Sequence, residues 1–205
     1  SSMNLLLIRD EEIAGDRIAR ITGARARHLS AVMKVSPGQA VRAGRPDGMV
    51  GRAEVLSIEA DGSITLRFHL TEEPPPKPGI DLILAMPRPK VLARILEHAT
   101  ALGAGRIALI RSWRVEKAYL ESPILAPAEL AGHIHAGLEQ SGDTVLPTVT
   151  FHPLFKPFVE DTLPGFAAGA AGFVPHPGAP DVLSRDDRPA GCRVILAIGP
   201  EGGWL

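Results

Sequence analysis

Cys192-Arg193-Val194-Ile195-Leu196-Ala197-Ile198-Gly199-Pro200-Glu201-Gly202-Gly203-Trp204-Leu205 sets an apolar run against a loop of glycine and proline. The run Val194 to Ile198, bounded by turn residues, reads as a buried strand. The loop after it lies at the strand's carboxyl end, where open α/β sheets hold their ligands. Gly199, Gly202 and Gly203 let the backbone approach a ligand closely. Pro200 stiffens the turn, and Glu201 becomes a carboxylate on a short, rigid loop. A tight surface turn is an equal reading of these residues alone, because their spacing fits neither the dinucleotide G-x-G-x-x-G pattern nor the P-loop. Cys192, the single cysteine, excludes an internal disulfide and reads as a small core residue at the start of the strand.

Upstream, Gly172-Phe173-Val174 reads as a strand that runs into a second unusual loop, Pro175-His176-Pro177-Gly178. If the two strands are neighbours, both loops lie on one sheet edge and form two walls of a pocket. Their backbone N–H and C=O groups suit a flat, polar heterocycle such as adenine. The residues before them alternate between strand and helix. Ile80–Met86 is an apolar strand. Pro89 to Leu102 is a helix with Val91, Leu92, Ile95, Leu96, Ala99 and Leu102 on one face, stopped at Gly103. Arg106–Ile110 is a strand, Pro127 to about Gln140 a helix with proline in its first turn, and Lys156–Thr162 a short helix. This alternation predicts a mostly parallel sheet covered by helices.

The first third of the chain differs. Leu5–Ile8 and Ile18–Ile21 read as strands. Thr22 is a candidate N-cap for a helix carrying Leu29, Val32 and Met33. Short strands follow at Ala40–Ala43, Met49–Ile58 and Ser63–Leu70, separated by Pro46-Asp47-Gly48 and Ala60-Asp61-Gly62, a pattern that suggests a small barrel. Residues 71–79 carry four prolines in nine positions and read as a semi-rigid spacer. The expected division is 3–70, 71–79 and 80–205. Ser1-Ser2, ahead of Met3, is set aside from the fold.

The 205 residues are 45% apolar, enough for packed cores, and carry a formal net charge of −1. That balance excludes a whole-molecule positive field, so any nucleic-acid contact must come from local patches. No apolar run is long enough to span a bilayer, and there is no signal-type segment, which points to a cytoplasmic protein. His133 and His135, two apart on a helix, point to different faces, and no cysteine or carboxylate sits at ligand spacing, so no metal site is expected.

Together these stretches resemble the SPOUT-superfamily methyltransferases that methylate N3 of a uridine in 16S ribosomal RNA. The resemblance is carried by Arg27-His28-Leu29-Ser30-Ala31-Val32-Met33-Lys34-Val35-Ser36-Pro37-Gly38, Glu97-His98-Ala99-Thr100-Ala101-Leu102-Gly103 and Ile110-Arg111-Ser112. It continues in Glu139-Gln140-Ser141-Gly142 and, most specifically, in Ile198-Gly199-Pro200-Glu201-Gly202-Gly203-Trp204. It implies an α+β, two-domain chain with an N-terminal PUA-like β-barrel that grips RNA and a C-terminal α/β-knot domain. That domain would contain a trefoil knot, one of the rare exceptions to unknotted topology. It also implies a homodimer, S-adenosylmethionine as cofactor, and a substrate within the small ribosomal subunit. The family's third cofactor loop, with a Leu-Gly-Pro-Arg-Ile-Leu-Arg motif, has no counterpart in these 205 residues, so the SPOUT domain is expected to be truncated at its C-terminal end. A second departure is Pro87-Arg88-Pro89-Lys90, where the family carries a Lys-Gly-Asp-Arg-type stretch.

By the same resemblance, Val174, Pro175, His176 and Pro177 match one cofactor loop, and Gly199, Pro200, Glu201, Gly202 and Gly203 a second. The chemistry requires removal of the uracil N3 proton and stabilisation of the anion that develops. Glu201 is the candidate base or cofactor-orienting group, and Arg111 the candidate for offsetting the charge. Arg25 and Arg27, and Arg88, Lys90 and Arg94, are candidate RNA contacts, with solvated surface charge as the plain alternative. Glu139 and Gln140 read as a helix end that the family places near its cofactor-side interface. His28 and His98 read as packing or surface residues. Two other classes remain open: a non-catalytic RNA-binding protein, and a SPOUT enzyme acting on another RNA nucleotide.

Overall fold

The computed structural model of the chain describes residues 3–112, 115–184, 187–200 and 203–204. It divides into two compact units, Ser1–Pro76 with His135–Leu146, and Lys77–Ile134 with Pro147–Leu205.

The first unit is a six-stranded sheet that curls into a half-barrel. In chain order its strands are β1 (Leu6–Leu7), β2 (Ile13–Gly15), β3 (Ile18–Ile21), β4 (Ala40–Gly44), β5 (Val50–Ile58) and β6 (Ile64–Glu72). Their order across the sheet is β1-β4-β5-β6-β3-β2, antiparallel except for β1 against β4. Register shifts at Val50/Gly51 and Val55/Ser57 mark bulges between β5 and β6, the device that bends a sheet toward closure. Gly51 is required there: a Cβ would lie 2.1 Å from the His69 carbonyl oxygen. Helix α1 (Gly23–Met33) follows Thr22, whose backbone is in the N-cap conformation but whose hydroxyl makes no cap bond. Its buried residues are Ala26 and Leu29; of the expected stripe Leu29, Val32 and Met33, Met33 packs partly buried against the core and Val32 turns outward. Ala26 and Leu29 join Leu6, Ile21, Val41, Ile64 and Leu66 in one core.

The second unit is a five-stranded, wholly parallel sheet in the order β10-β11-β7-β8-β9. The strands are β7 (Ile80–Ala85), β8 (Arg106–Ile110), β9 (Thr148–His152), β10 (Ala170–Phe173) and β11 (Arg193–Ile198). Alternation along β7 builds both faces. Leu82 and Leu84 enter a cluster with Leu92, Leu96 and Ala99 of helix α2 (Pro89–Ala101). Ile83 enters a second cluster with Ile195 and Phe158. The stripe of α2 is narrower than its composition suggests, since Val91 and Leu102 are exposed. Helix α3 (Lys117–Leu120) and helix α4 (Pro127–Ser141) follow β8. After β9 the chain makes two short α-helical turns, α5 (Phe155–Pro157) and α6 (Leu163–Phe166), separated by π-helix over Phe158–Thr162. Strand β11 is buried only at Val194 and Ile195 and is exposed at Ile198, so the expectation of a wholly buried strand is corrected. Cys192, just ahead of it, is half-buried.

Asp81, fully buried near the start of β7, fixes the order of three strands. Arg106 of β8 donates to it at 2.9 Å, and Arg193 of β11 donates to the same oxygen. The opposite, carboxyl ends of these strands carry the loops of interest.

Candidate cofactor cavity

The parallel pairing of β10 with β11, Gly172 beside Ile195 and Phe173 beside Leu196, brings the two proline-glycine loops to one sheet edge. A cavity of about 730 Å³ opens between them, lined by Pro175, His176, Pro177, Ile198, Gly199, Pro200, Gly203 and Trp204. Most of one wall is therefore backbone. Gly203 has φ of 79° and donates its N–H to the Pro200 carbonyl at 2.8 Å, which closes the turn. Gly199 lies against the Trp204 indole so closely that a Cβ would sit 3.0 Å from Nε1. The indole N–H is buried and, among the described residues, has no partner. On the other wall Gly178 donates its N–H to His176 Nδ1 at 3.0 Å. That bond makes Nδ1 the acceptor, so the neutral ring carries its proton on Nε2. A backbone-lined slot of this kind fits a flat, polar ring. Val174 is exposed just outside this wall. Glu201 and Gly202 lie outside the described residues. Ile198 and Trp204 are lining residues that sequence reading did not assign to the site, although they flank the Gly-Pro-Glu-Gly-Gly loop.

Arg111 is exposed at the carboxyl end of β8, and lines a separate cavity with Ser112 and the loop after β9. Arg88, Lys90 and Arg94 are exposed at the start of α2, Arg88 as its N-cap residue. In the first unit Arg27 and His28 are exposed on α1.

Arg25 is placed differently. Its guanidinium is half-buried and donates to Glu12 at 2.6 Å, to Glu139 at 2.9 Å and to the Leu7 carbonyl. Burial pulls its pKa down, but Glu139 and then Glu12 outweigh that and hold it above the ordinary arginine value. Glu139, buried, also accepts the Leu7 N–H at 3.2 Å. Gln140 is exposed, and its carbonyl accepts from Asn4 at 2.6 Å. Arg25, Glu139 and Gln140 thus hold residues 4–12 and 25 to the end of α4 within the first unit. Among the described residues no three His, Cys, Asp or Glu side chains converge as metal ligands would, and no helix is long and apolar enough to cross a membrane.

Comparison with known proteins gives a consistent picture. A sequence model described as the RNA methyltransferase domain matches residues 73–205. The ribosomal RNA small subunit methyltransferase E of Treponema pallidum is 30% identical over 157 residues, 76% of this chain; the match spans 59% of that relative's length. Among solved structures, the ribosomal RNA small subunit methyltransferase E of Neisseria gonorrhoeae, bound to S-adenosyl methionine, superposes with a TM-score of 0.70 at 19% identity, over 98% of this chain and 82% of its own. A putative methyltransferase of Legionella pneumophila, in complex with the same cofactor, gives 0.68 at 17% identity, over 100% and 83%.

Proposed function

Since the chain belongs to the RNA methyltransferase domain family, we propose that it transfers a methyl group from S-adenosylmethionine to N3 of a uridine in the 16S ribosomal RNA of the small subunit. The observation that carries this reading is the cavity between the β10 and β11 loops, largely backbone-lined and floored by Gly199 against Trp204. The cofactor bound to two of the solved relatives supports it.

In this reading Gly199, Pro200, Gly202 and Gly203 hold the adenine and ribose through backbone groups, with Val174, Pro175, His176 and Pro177 opposite. S-adenosylmethionine supplies an electrophilic methyl carbon on a sulfonium. The chain's own task is to prepare the nucleophile, because a neutral uracil carries a proton on the atom to be methylated. Glu201 takes the N3 proton, or orients the cofactor, and Arg111 offsets the negative charge spread over the uracil. Fixing N3 in line with the methyl group supplies the remainder through orientation. The residues 3–70 act as a PUA-like RNA grip joined through the spacer 71–79 to the catalytic domain in 80–205. Arg27, Arg88, Lys90 and Arg94 contact the RNA backbone. Arg25 serves the grip from within, by holding its first strand. A trefoil knot, a homodimer and a cytoplasmic site of action belong to the same reading.

The test is calorimetric titration of the chain with S-adenosylmethionine, followed by methylation of small-subunit RNA and mapping of the product nucleotide. Saturable binding and a methyl group on uridine N3 are expected. Failure of the cofactor to bind favours a non-catalytic RNA-binding protein; a methyl group on another atom overturns the uridine-N3 assignment alone.

A further inference from the structure

The carboxyl edge of the parallel sheet carries a second hollow, of which the methyl-transfer reading uses only Arg111. It occupies about 560 Å³ beyond the ends of β8 and β9, and is lined by Arg111, Ser112, Leu154, Phe155 and Lys156 between Pro153 and Pro157. Three features set it apart from ordinary surface. Leu154 and Phe155 are 61% and 45% exposed, an unusual outlay of apolar surface on a loop fixed by two prolines. Two cations, Arg111 and Lys156, stand beside them; among the described residues Lys156 has a carboxylate nearby, Glu160 at 3.7 Å on an exposed pair, and Arg111 has none. Ser112 is only 4% exposed, and among the described residues its hydroxyl has no hydrogen-bond partner. Leaving such a group unsatisfied is costly, so its retention calls for an explanation.

We propose that this hollow docks one unstacked base of the RNA substrate, with Phe155 stacking on the base, the Ser112 hydroxyl turning out of its buried position to bond the base edge, and Lys156 holding the adjoining phosphate. An exposed aromatic face beside cations is the arrangement that recognises single-stranded nucleic acid, because every base has a π-face and every nucleotide a phosphate. The sheet order supports the placement. β8 is separated from β11 only by β7, and all these strands run parallel, so the two hollows share one edge, their centres about three strand spacings or roughly 14 Å apart. A nucleotide gripped here presents itself or its neighbour to the cofactor cavity. The inference rests on the methyl-transfer reading for its purpose, but not for its physics.

The test uses the full chain, a short fluorescein-labelled single-stranded RNA, and three variants. Phe155→Ala should weaken RNA binding by about ten-fold, the loss of one stacked base. Ser112→Ala should weaken it several-fold while leaving the urea midpoint equal or higher, because an unpartnered buried hydroxyl is removed. Lys156→Ala should lower the slope of log K against log salt by about one. S-adenosylmethionine titration should be unchanged in all three. RNA affinity equal to the parent in both Phe155→Ala and Ser112→Ala overturns the proposal. If the parent chain binds RNA through these residues but binds no S-adenosylmethionine, the hollow stands and the methyl-transfer reading falls.

Discussion

Arg25 offers the sharpest division between a structural and an RNA-contacting arginine. Its Nε–Glu12 and Nη1–Glu139 contacts, 2.6 and 2.9 Å, involve side chains only 21%, 10% and 11% exposed. Arg25→Ala strands two carboxylates in a half-dry site, and the Leu7 carbonyl loses its donor. Breaking a buried pair by removing one partner costs about 3–5 kcal/mol, and the residual exposure places this case near 3. For a chain of this length that corresponds to a fall in Tm of about 6–12 °C. Glu139→Gln should be milder, about 1 kcal/mol, because the amide oxygen still accepts the Leu7 N–H and Glu12 still faces the guanidinium. Urea unfolding with linear extrapolation resolves both differences. Arg25→Ala within about 0.5 kcal/mol of the parent, accompanied by a clear loss of RNA affinity, would refute the reasoning. That outcome would return Arg25 to the solvent-facing role that the charge density of its neighbourhood suggests.

Three further changes probe the rest of the molecule. Gly199→Ala drives a methyl group to 3.0–3.2 Å from the Trp204 ring and should reduce S-adenosylmethionine affinity at least ten-fold by calorimetry; parental affinity would show that this wall is not where the cofactor sits. Asp81→Asn removes the charge shared by Arg106 and Arg193, and should cost about 3 kcal/mol in a thermal melt; an unshifted melt would mean that the sheet order is held by packing alone. His135 and His152 are both held below the ordinary histidine pKa, His135 by burial and then by Arg9, His152 by burial. The unfolded chain therefore takes up protons first as pH drops below about 6.5, and stability falls in that range and is unaffected above it. Urea midpoints at about pH 7.5 and 5.5 should show the fall, and His135→Gln should reduce it; a midpoint equal at both values would contradict the burial of these rings.

Glycine and proline made much of the molecule legible. The ends of β10 and β11, the stop of α2 at Gly103 and the start of α4 at Pro127 each carry a residue whose backbone preference is local, so one chain suffices to place them. The meeting of the two proline-glycine loops was also accessible, because parallel strands put their carboxyl ends on one edge. What escaped was set by partners far away in sequence. Arg25 sits among Arg17, Arg20 and Arg27 and shares their outward-facing composition, yet its partner Glu139 lies 114 positions later. Asp81 interrupts an apolar strand with nothing nearby to mark the arginines that neutralise it. Strand β9 reads Thr-Val-Thr-Phe-His, polar enough at the sheet margin to pass for a loop. The inward stripe of α2 was drawn too wide, since periodicity identifies a face but not how much of it is covered.

The grouping of residues 135–146 with the first unit has a consequence for how the chain is made. Thr144 donates its hydroxyl to the Gly48 carbonyl at 2.6 Å, and Leu146 donates its N–H to Asp47 at 2.9 Å, while Glu139 anchors Leu7 and Arg25. None of these bonds can form when residue 76 leaves the ribosome. The amino-terminal unit must wait for some 70 further residues, about 4–14 s at ordinary elongation rates. During that interval its first strand and the turn at Pro46-Asp47-Gly48 lack their final partners. An arrest-peptide series should therefore register the folding force of this unit only after residue 146 has cleared the exit tunnel, long after its last strand has been translated.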